Sequence, residues 1–181
     1  MRFDEPLFPH TSYRVGGPAD AFLSPVCVDD VAEVMRLSDE IPVFILGAGA
    51  NILISDFGVR GIVLDMRNLS FHRFEGTTLV AGAGLDMSEA AKLAARKDLA
   101  GLEFIYAMPG SVGGSVWMNA RCYGRSVSDA LTYADIVDRT GALSRIIASP
   151  DDFAYKDSPF QRHRWAIVEA GFLLRPGNSI E

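Results

Sequence analysis

The sequence predicts an α+β protein built as two lobes, residues 1–70 and residues 71–181. Three observations carry this. Between Ala21 and Leu46 an apolar run, a helix-spaced run and a second apolar run follow one another, the order of a small parallel strand–helix–strand unit. From Phe71 onward the texture changes to short apolar runs flanking tight turns, at Glu75-Gly76 and at Arg139-Thr140-Gly141, which is a hairpin signal. Between these hairpins lies an Ala- and Leu-rich stretch, Met87–Lys97, whose composition favours helix.

In chain order, Pro6, Pro9 and Pro18 deny any long helix to residues 1–20, which are expected to be irregular. Ala21–Val26 reads as a strand, and Asp29 or Asp30 as the cap of a helix continuing through Val31, Val34, Met35 and Leu37. Pro42–Leu46 and Ile62–Leu64 are the next strands, separated by a turn and a short extended piece. Phe71–Phe74 pairs with Thr78–Ala81, Asp86 caps the helix at Met87, and Gly101 closes that region. After the Pro109–Ser115 stretch, Val116–Ala120 resumes a helix-compatible run. Leu131–Asp138 and Ala142–Ile147 form the second hairpin, Ser149-Pro150-Asp151-Asp152 opens a helix with proline at its first position, and Trp165–Leu174 is the last strand.

The apolar fraction of 49% is ample for a packed core, and the net charge of −6 argues against a nucleic-acid surface or a polybasic membrane patch. The opening MRFDEPLFPH has no basic segment followed by an apolar one, and no apolar run approaches the ~20 residues that span a bilayer. Cys27 and Cys122 lie far apart in no ligand spacing and read as free thiols. The expectation is a soluble cytoplasmic protein.

Chemistry concentrates at two bare-backbone turns. Val43–Leu46 runs into Gly47-Ala48-Gly49-Ala50-Asn51, where small residues leave backbone N–H groups open to a ligand. Such amides suit a diphosphate, which fixed donors satisfy without a cationic side chain. A dinucleotide fingerprint of the Rossmann kind would enter a helix here; instead Ile52-Leu53-Ile54-Ser55 follows. The second turn, Pro109-Gly110-Ser111-Val112-Gly113-Gly114-Ser115, feeds a helix start and offers orphan amides. Either turn alone is ordinarily just a turn; two on different lobes can clamp a diphosphate between them. His10, His72 and His163 have no partners spaced for metal or triad work, and the acidic pairs Asp29/Asp30 and Asp151/Asp152 read as helix N-terminal charges. In Phe153-Ala154-Tyr155-Lys156-Asp157-Ser158-Pro159-Phe160 a lysine sits among aromatics, either an amphipathic turn or a cation facing a substrate carboxylate.

Taken together, TSYRVGGPAD (11–20), ILGAGANILISDFGVRGIVLDM (45–66), GLEFIYAMPGSVGGSVWMNARCYG (101–124) and FAYKDSPF (153–160) resemble the bacterial UDP-N-acetylenolpyruvoylglucosamine reductases (MurB), in the same order and over nearly the whole chain. The resemblance implies a two-lobed FAD-binding fold of the vanillyl-alcohol-oxidase (PCMH) type. It implies FAD contacts from Arg14, from Leu46, Gly47, Ala48, Gly49, Ala50 and Asn51, from Ala107, Pro109, Gly110, Ser111, Gly113 and Gly114, and from Asn119 and Tyr123. Tyr155 and Lys156 are implied to meet the substrate, with Lys156 as the catalytic cation. The family reduces the enolpyruvyl ether of a UDP-sugar in peptidoglycan synthesis, with NADPH as reductant and FAD as carrier.

The chain departs from the family in three ways. Lys156 stands where members usually have arginine, so carboxylate binding is expected to be retained but looser, since lysine lacks the planar two-pronged donor. Arg121 and Cys122 replace small residues; Arg121 either adds a flavin contact or points outward. The family continues past the position of Glu181 into a substrate domain supplying a proton-donating serine, so little turnover is expected from this polypeptide alone. Ser179 and Glu181 are not substitutes for those groups. A separate chain supplying that domain, a non-catalytic flavin module, and the FAD subunit of another oxidoreductase are the alternatives.

Overall fold

The computed structural model describes residues 1–177; Ser179 and Glu181 lie outside them. The first sheet contains β1 (Arg2–Pro6), β2 (Pro18–Leu23), β3 (Val43–Leu46) and β4 (Val59–Asp65), in the order β1-β2-β4-β3. Helix α1 (Val28–Arg36) carries the chain from β2 to β3, and both strands run parallel to β4, which lies between them. The strand–helix–strand unit is thus present with one strand inserted. Strand β1 corrects the expectation of an irregular N-terminus: it pairs antiparallel with β2 at the sheet edge, and its mostly exposed residues carry no apolar signature. α1 also begins differently. Cys27 is the cap residue, and Asp30 reaches back to accept from the amides of Val26 (2.8 Å) and Cys27 (3.3 Å).

Strands β5 (His72–Glu75) and β6 (Thr78–Gly82) form the first hairpin, and helix α2 (Met87–Ala95) follows, capped by the Asp86 carboxylate on the Glu89 amide at 2.9 Å. β7 (Leu99–Ala100) is two residues long. Helix α3 (Val112–Trp117) starts inside the glycine-rich stretch, at Ser111 as N-cap, and not after it at Val116 as the sequence suggests. A small hairpin, β8 (Arg121–Cys122) with β9 (Arg125–Ser126), turns at Tyr123-Gly124. β10 (Leu131–Val137) and β11 (Leu143–Ile147) form the second large hairpin. The helix expected at Pro150 is a single turn ending at Asp152, because Phe153 returns to extended backbone. The real helix here is α4 (Pro159–His163), capped at Ser158, with Pro159 at its first position. β12 (Ala166–Leu173) completes the five-stranded sheet β11-β10-β12-β6-β5, and β13 (Arg175–Pro176) pairs with β7.

The larger core lies between this sheet and helices α2 and α3, around Leu79, Met87, Ile105, Val116, Phe160 and Phe172. A second cluster joins the two sheets. Val31, Val34 and Met35 of α1 and Ile62 and Leu64 of β4 pack with Val137 of β10 and Val168 of β12. The apolar stripe of α1 is therefore buried between the sheets, which fixes one against the other. Among the described residues no helix is long and apolar enough to cross a membrane.

Candidate functional site

The two glycine-rich turns meet. A Cβ built on Gly47 would run into the Ser111 Oγ, so the turn after β3 and the N-cap of α3 touch only because position 47 has no side chain. Gly49 is constrained from the other side: it has φ +66°, and a Cβ there would collide with the carbonyl of His10. The loop before β2 closes on this turn, with the Ser12 amide donating to the Gly49 carbonyl at 3.0 Å. That loop carries Arg14, which is exposed, with φ +54°.

Among the described residues the amides of Gly47, Ala48, Gly49, Ala50 and Asn51 donate to no protein acceptor. A run of consecutive unpaired donors in a half-buried turn is costly unless water or a ligand receives them. Successive free N–H groups in a turn are the donors from which anion sites are built. Leu46, buried at the end of β3, anchors the turn.

The second turn is mostly committed internally, which corrects the expectation of orphan amides there. Val112 donates to Leu85, Gly113 to Ala83 and Ser115 to Ser111, each at 2.8 Å, and Gly114 to the Ser111 Oγ at 3.3 Å. Only the amides of Gly110 and Ser111 remain open. With six residues, α3 is too short for a useful dipole, so its glycines serve close packing and the first turn supplies most donors.

From Ser111 the short helix α3 leads to the far end of the site. At its C-terminal end the Trp117 carbonyl accepts from Ser158 Oγ (2.6 Å) and Gln161 Nε2 (2.8 Å). Buried Asn119 donates from Nδ2 to the Ala154 carbonyl at 3.0 Å and accepts the Ser128 amide at 3.1 Å. Its side chain is thus occupied in holding the Tyr155–Lys156 loop. Lys156 and Tyr155 are exposed, the ammonium 5.6 Å from the Tyr155 ring centre. Arg121 is exposed too, donates to the Gly124 carbonyl at 3.3 Å, and shares with Asn119 and Tyr155 a cleft of about 360 Å³. Tyr123, at the hairpin tip, is 89% exposed. Pro109 is exposed beside Ala107, which has φ +64°.

Backbone geometry sets several of the sequence-named residues apart. Among the described residues eight non-glycine residues have positive φ, and five of them, Arg14, Ala107, Asn119, Tyr123 and Lys156, are among those the sequence named for the site. Such conformations cost energy and cluster where function requires them. Sequence reasoning missed His10 and Thr11, which wall the first turn, and Ser158, whose hydroxyl fixes the lysine loop. Only the adjacency of His10 and Thr11 to the Arg-x-Gly-Gly segment hinted at the first two.

Comparison with known proteins gives the family. Residues 19–146 match the family model described as "FAD binding domain". The chain belongs to the FAD-binding domain family. It is 39% identical over 179 residues to UDP-N-acetylenolpyruvoylglucosamine reductase 2 of Bacillus cereus, a match covering 98% of this chain and 59% of that protein. It is 37% identical to UDP-N-acetylenolpyruvoylglucosamine reductase of Geobacillus thermodenitrificans, covering 97% of this chain and 58% of the relative. The crystal structure of UDP-N-acetylenolpyruvylglucosamine reductase (MurB) from Thermus caldophilus superposes with a TM-score of 0.82 at 26% identity, over 96% of this chain and 62% of that one. The chain thus spans about three-fifths of the length of the relatives it matches, and within the family it corresponds to the FAD-binding portion of these reductases. Its cofactor is FAD, and the open amides at Gly47–Asn51 fit the diphosphate of that group.

Proposed function

We propose that this chain is the flavin-holding part of a cytoplasmic UDP-N-acetylmuramate dehydrogenase, with the FAD diphosphate on the amides of Gly47–Asn51 and of Gly110 and Ser111. The observation that carries this is the run of unpaired amides in the turn that abuts the Ser111 cap. The chemistry that bound FAD would supply is hydride transfer, from NADPH to the enolpyruvyl ether of the UDP-sugar. The protein's own tasks are to orient and to stabilise charge. Gly113 lets α3 pack closely on Ala83 and Gly114 leaves room for the Ser111 hydroxyl, and Arg14, Ala107, Pro109, Asn119 and Tyr123 frame the flavin.

Hydride addition beside a carboxylate builds enolate charge, which a fixed cation stabilises as it forms. Lys156 supplies that cation, with Tyr155 beside it. The Ser158–Trp117 and Asn119–Ala154 hydrogen bonds hold its loop at the far end of α3 from Ser111. In this reading the remaining contacts to the UDP-sugar, and the proton donor, come from polypeptide other than residues 1–177. The test is direct. Supplied with FAD and desalted, the protein retains a yellow flavin spectrum and gives a measurable affinity by calorimetry, with little sugar-dependent NADPH oxidation. A colourless sample with no binding heat contradicts the flavin assignment, and brisk turnover by this chain alone contradicts the division of labour.

A further inference from the structure

One cluster of charges lies outside the residues named so far for the cofactor, directly behind the first turn. Arg67 donates from Nε to Asp65 Oδ1 and from Nη2 to Asp65 Oδ2, both at 2.8 Å, and from the same Nη2 to His10 Nδ1 at 2.7 Å. A guanidinium can only donate, so Nδ1 must accept and the ring proton sits on Nε2, 2.8 Å from Glu5 Oε1. His10 is therefore a neutral imidazole strung between a cation and an anion. Its ring also packs, tilted by 33°, against Phe22, centroids 4.5 Å apart, with the Arg2 guanidinium on the same Phe22 ring at 4.6 Å. Asp65 is 4% exposed, and its hydrogen bonds raise the Arg67 pKa above its ordinary value.

Both ends of this chain of contacts bear on the turn. Asp65 lies opposite Leu46 in the β3–β4 register, the residue before Gly47. The His10 carbonyl occupies the space beside Gly49 that a Cβ would need, and Ser12, two residues on, donates to the Gly49 carbonyl. One Arg–Asp pair thus ties down the strand entering the turn and the loop walling it. Unpaired amides need such support, because a free loop would rotate them toward water or internal acceptors, and holding donors in their bound arrangement is what preorganisation contributes to affinity.

We propose that His10 is a positioning residue for FAD: as the Nε2–H tautomer accepting from Arg67 at Nδ1, it holds the wall beside Gly49 and so aims the amides of Gly47–Asn51 at the diphosphate. This rests on the reading that those amides receive the diphosphate, and the test separates the two. The full chain and its His10→Asn, His10→Gln and His10→Ala variants are titrated with FAD, followed by flavin fluorescence, with ¹H–¹⁵N spectra with and without FAD and thermal unfolding of each FAD-free protein. Asparagine keeps an acceptor in the place of Nδ1, so His10→Asn binds FAD within about threefold of the parent. Glutamine and alanine lose it and bind about tenfold more weakly, roughly the effect of one well-placed hydrogen bond. The order follows the acceptor, not side-chain size or the unfolding temperature. If the amides of 47–51 shift with FAD but all three variants bind alike, or rank by their unfolding temperatures, the positioning role is wrong. If those amides do not shift in the parent protein, the diphosphate reading itself fails and takes the proposal with it.

Discussion

Ala107 shows at the scale of one residue what the site costs. It has φ +64° with no polar side chain to offset the strain. The left-handed conformation costs an L-residue roughly 1–2 kcal/mol, while a glycine loses about 0.4–1 kcal/mol more chain entropy on folding. Ala107→Gly is therefore expected to raise stability by about 0.5–1 kcal/mol in a urea titration; a loss would mean the methyl group packs usefully. The strings that carry the proposed site, with the glycine turns, Arg14, Asn119 and Lys156, were legible from motif spacing. Their roles were less so. Asn119 turns out to spend both ends of its amide on Ala154 and Ser128, a fact no string of letters contains. The engagement of four amides of the second turn by Leu85, Ala83 and Ser111 was equally invisible, because those acceptors are fixed by how the chain folds back.

Among the elements, the short ones carry the proposed site. α3 has six residues and would not persist alone, so its position depends on what grips its ends. Ser158 is fully buried, and its hydroxyl donates to the Trp117 carbonyl, which Gln161 also reaches. Ser158→Ala is expected to cost about 1 kcal/mol, read from the urea midpoint, because the carbonyl keeps a second donor; a cost near 3 kcal/mol would show that Gln161 cannot replace it. At α1, hydrogen bonds from the Val26 amide, then the Cys27 amide, hold the Asp30 carboxyl below the usual carboxylate range, against the opposing effect of burial. A depressed folded-state pKa gives stability that is present above the unfolded value and lost as pH falls through the folded one. The thermal-stability gap between the parent and Asp30→Asn should thus be full above the ordinary carboxylate pKa and close as pH falls below it; a gap independent of pH would remove the charged cap. Helices with periodic apolar faces and the hairpins with glycine turns were readable from sequence. β1 was not, since an edge strand of exposed polar residues has no periodic signal, and α4 was hidden inside a segment read for its aromatics.

For the whole molecule, the consequential feature is the cluster that joins the two sheets through α1. Met35, 2% exposed, packs there with residues from both. Met35→Ala is expected to destabilise the entire chain by roughly 2–4 kcal/mol as one cooperative transition. Two separated transitions in calorimetry would mean the lobes unfold independently. The change in texture near residue 70 announced two sheets, but which apolar stripe would be shared between them was not readable from periodicity alone. The same junction brings the Gly47 turn against Ser111, so fold and site depend on one packing arrangement. Amide hydrogen exchange, resolved by residue with and without FAD, tests that dependence most directly. Gly47–Asn51, unpaired within the protein, should exchange rapidly alone and become strongly protected with FAD, while Val112–Ser115 change little. If Gly47–Asn51 stay unprotected in a protein saturated with flavin, the dinucleotide lies elsewhere and this assignment of the turn is wrong.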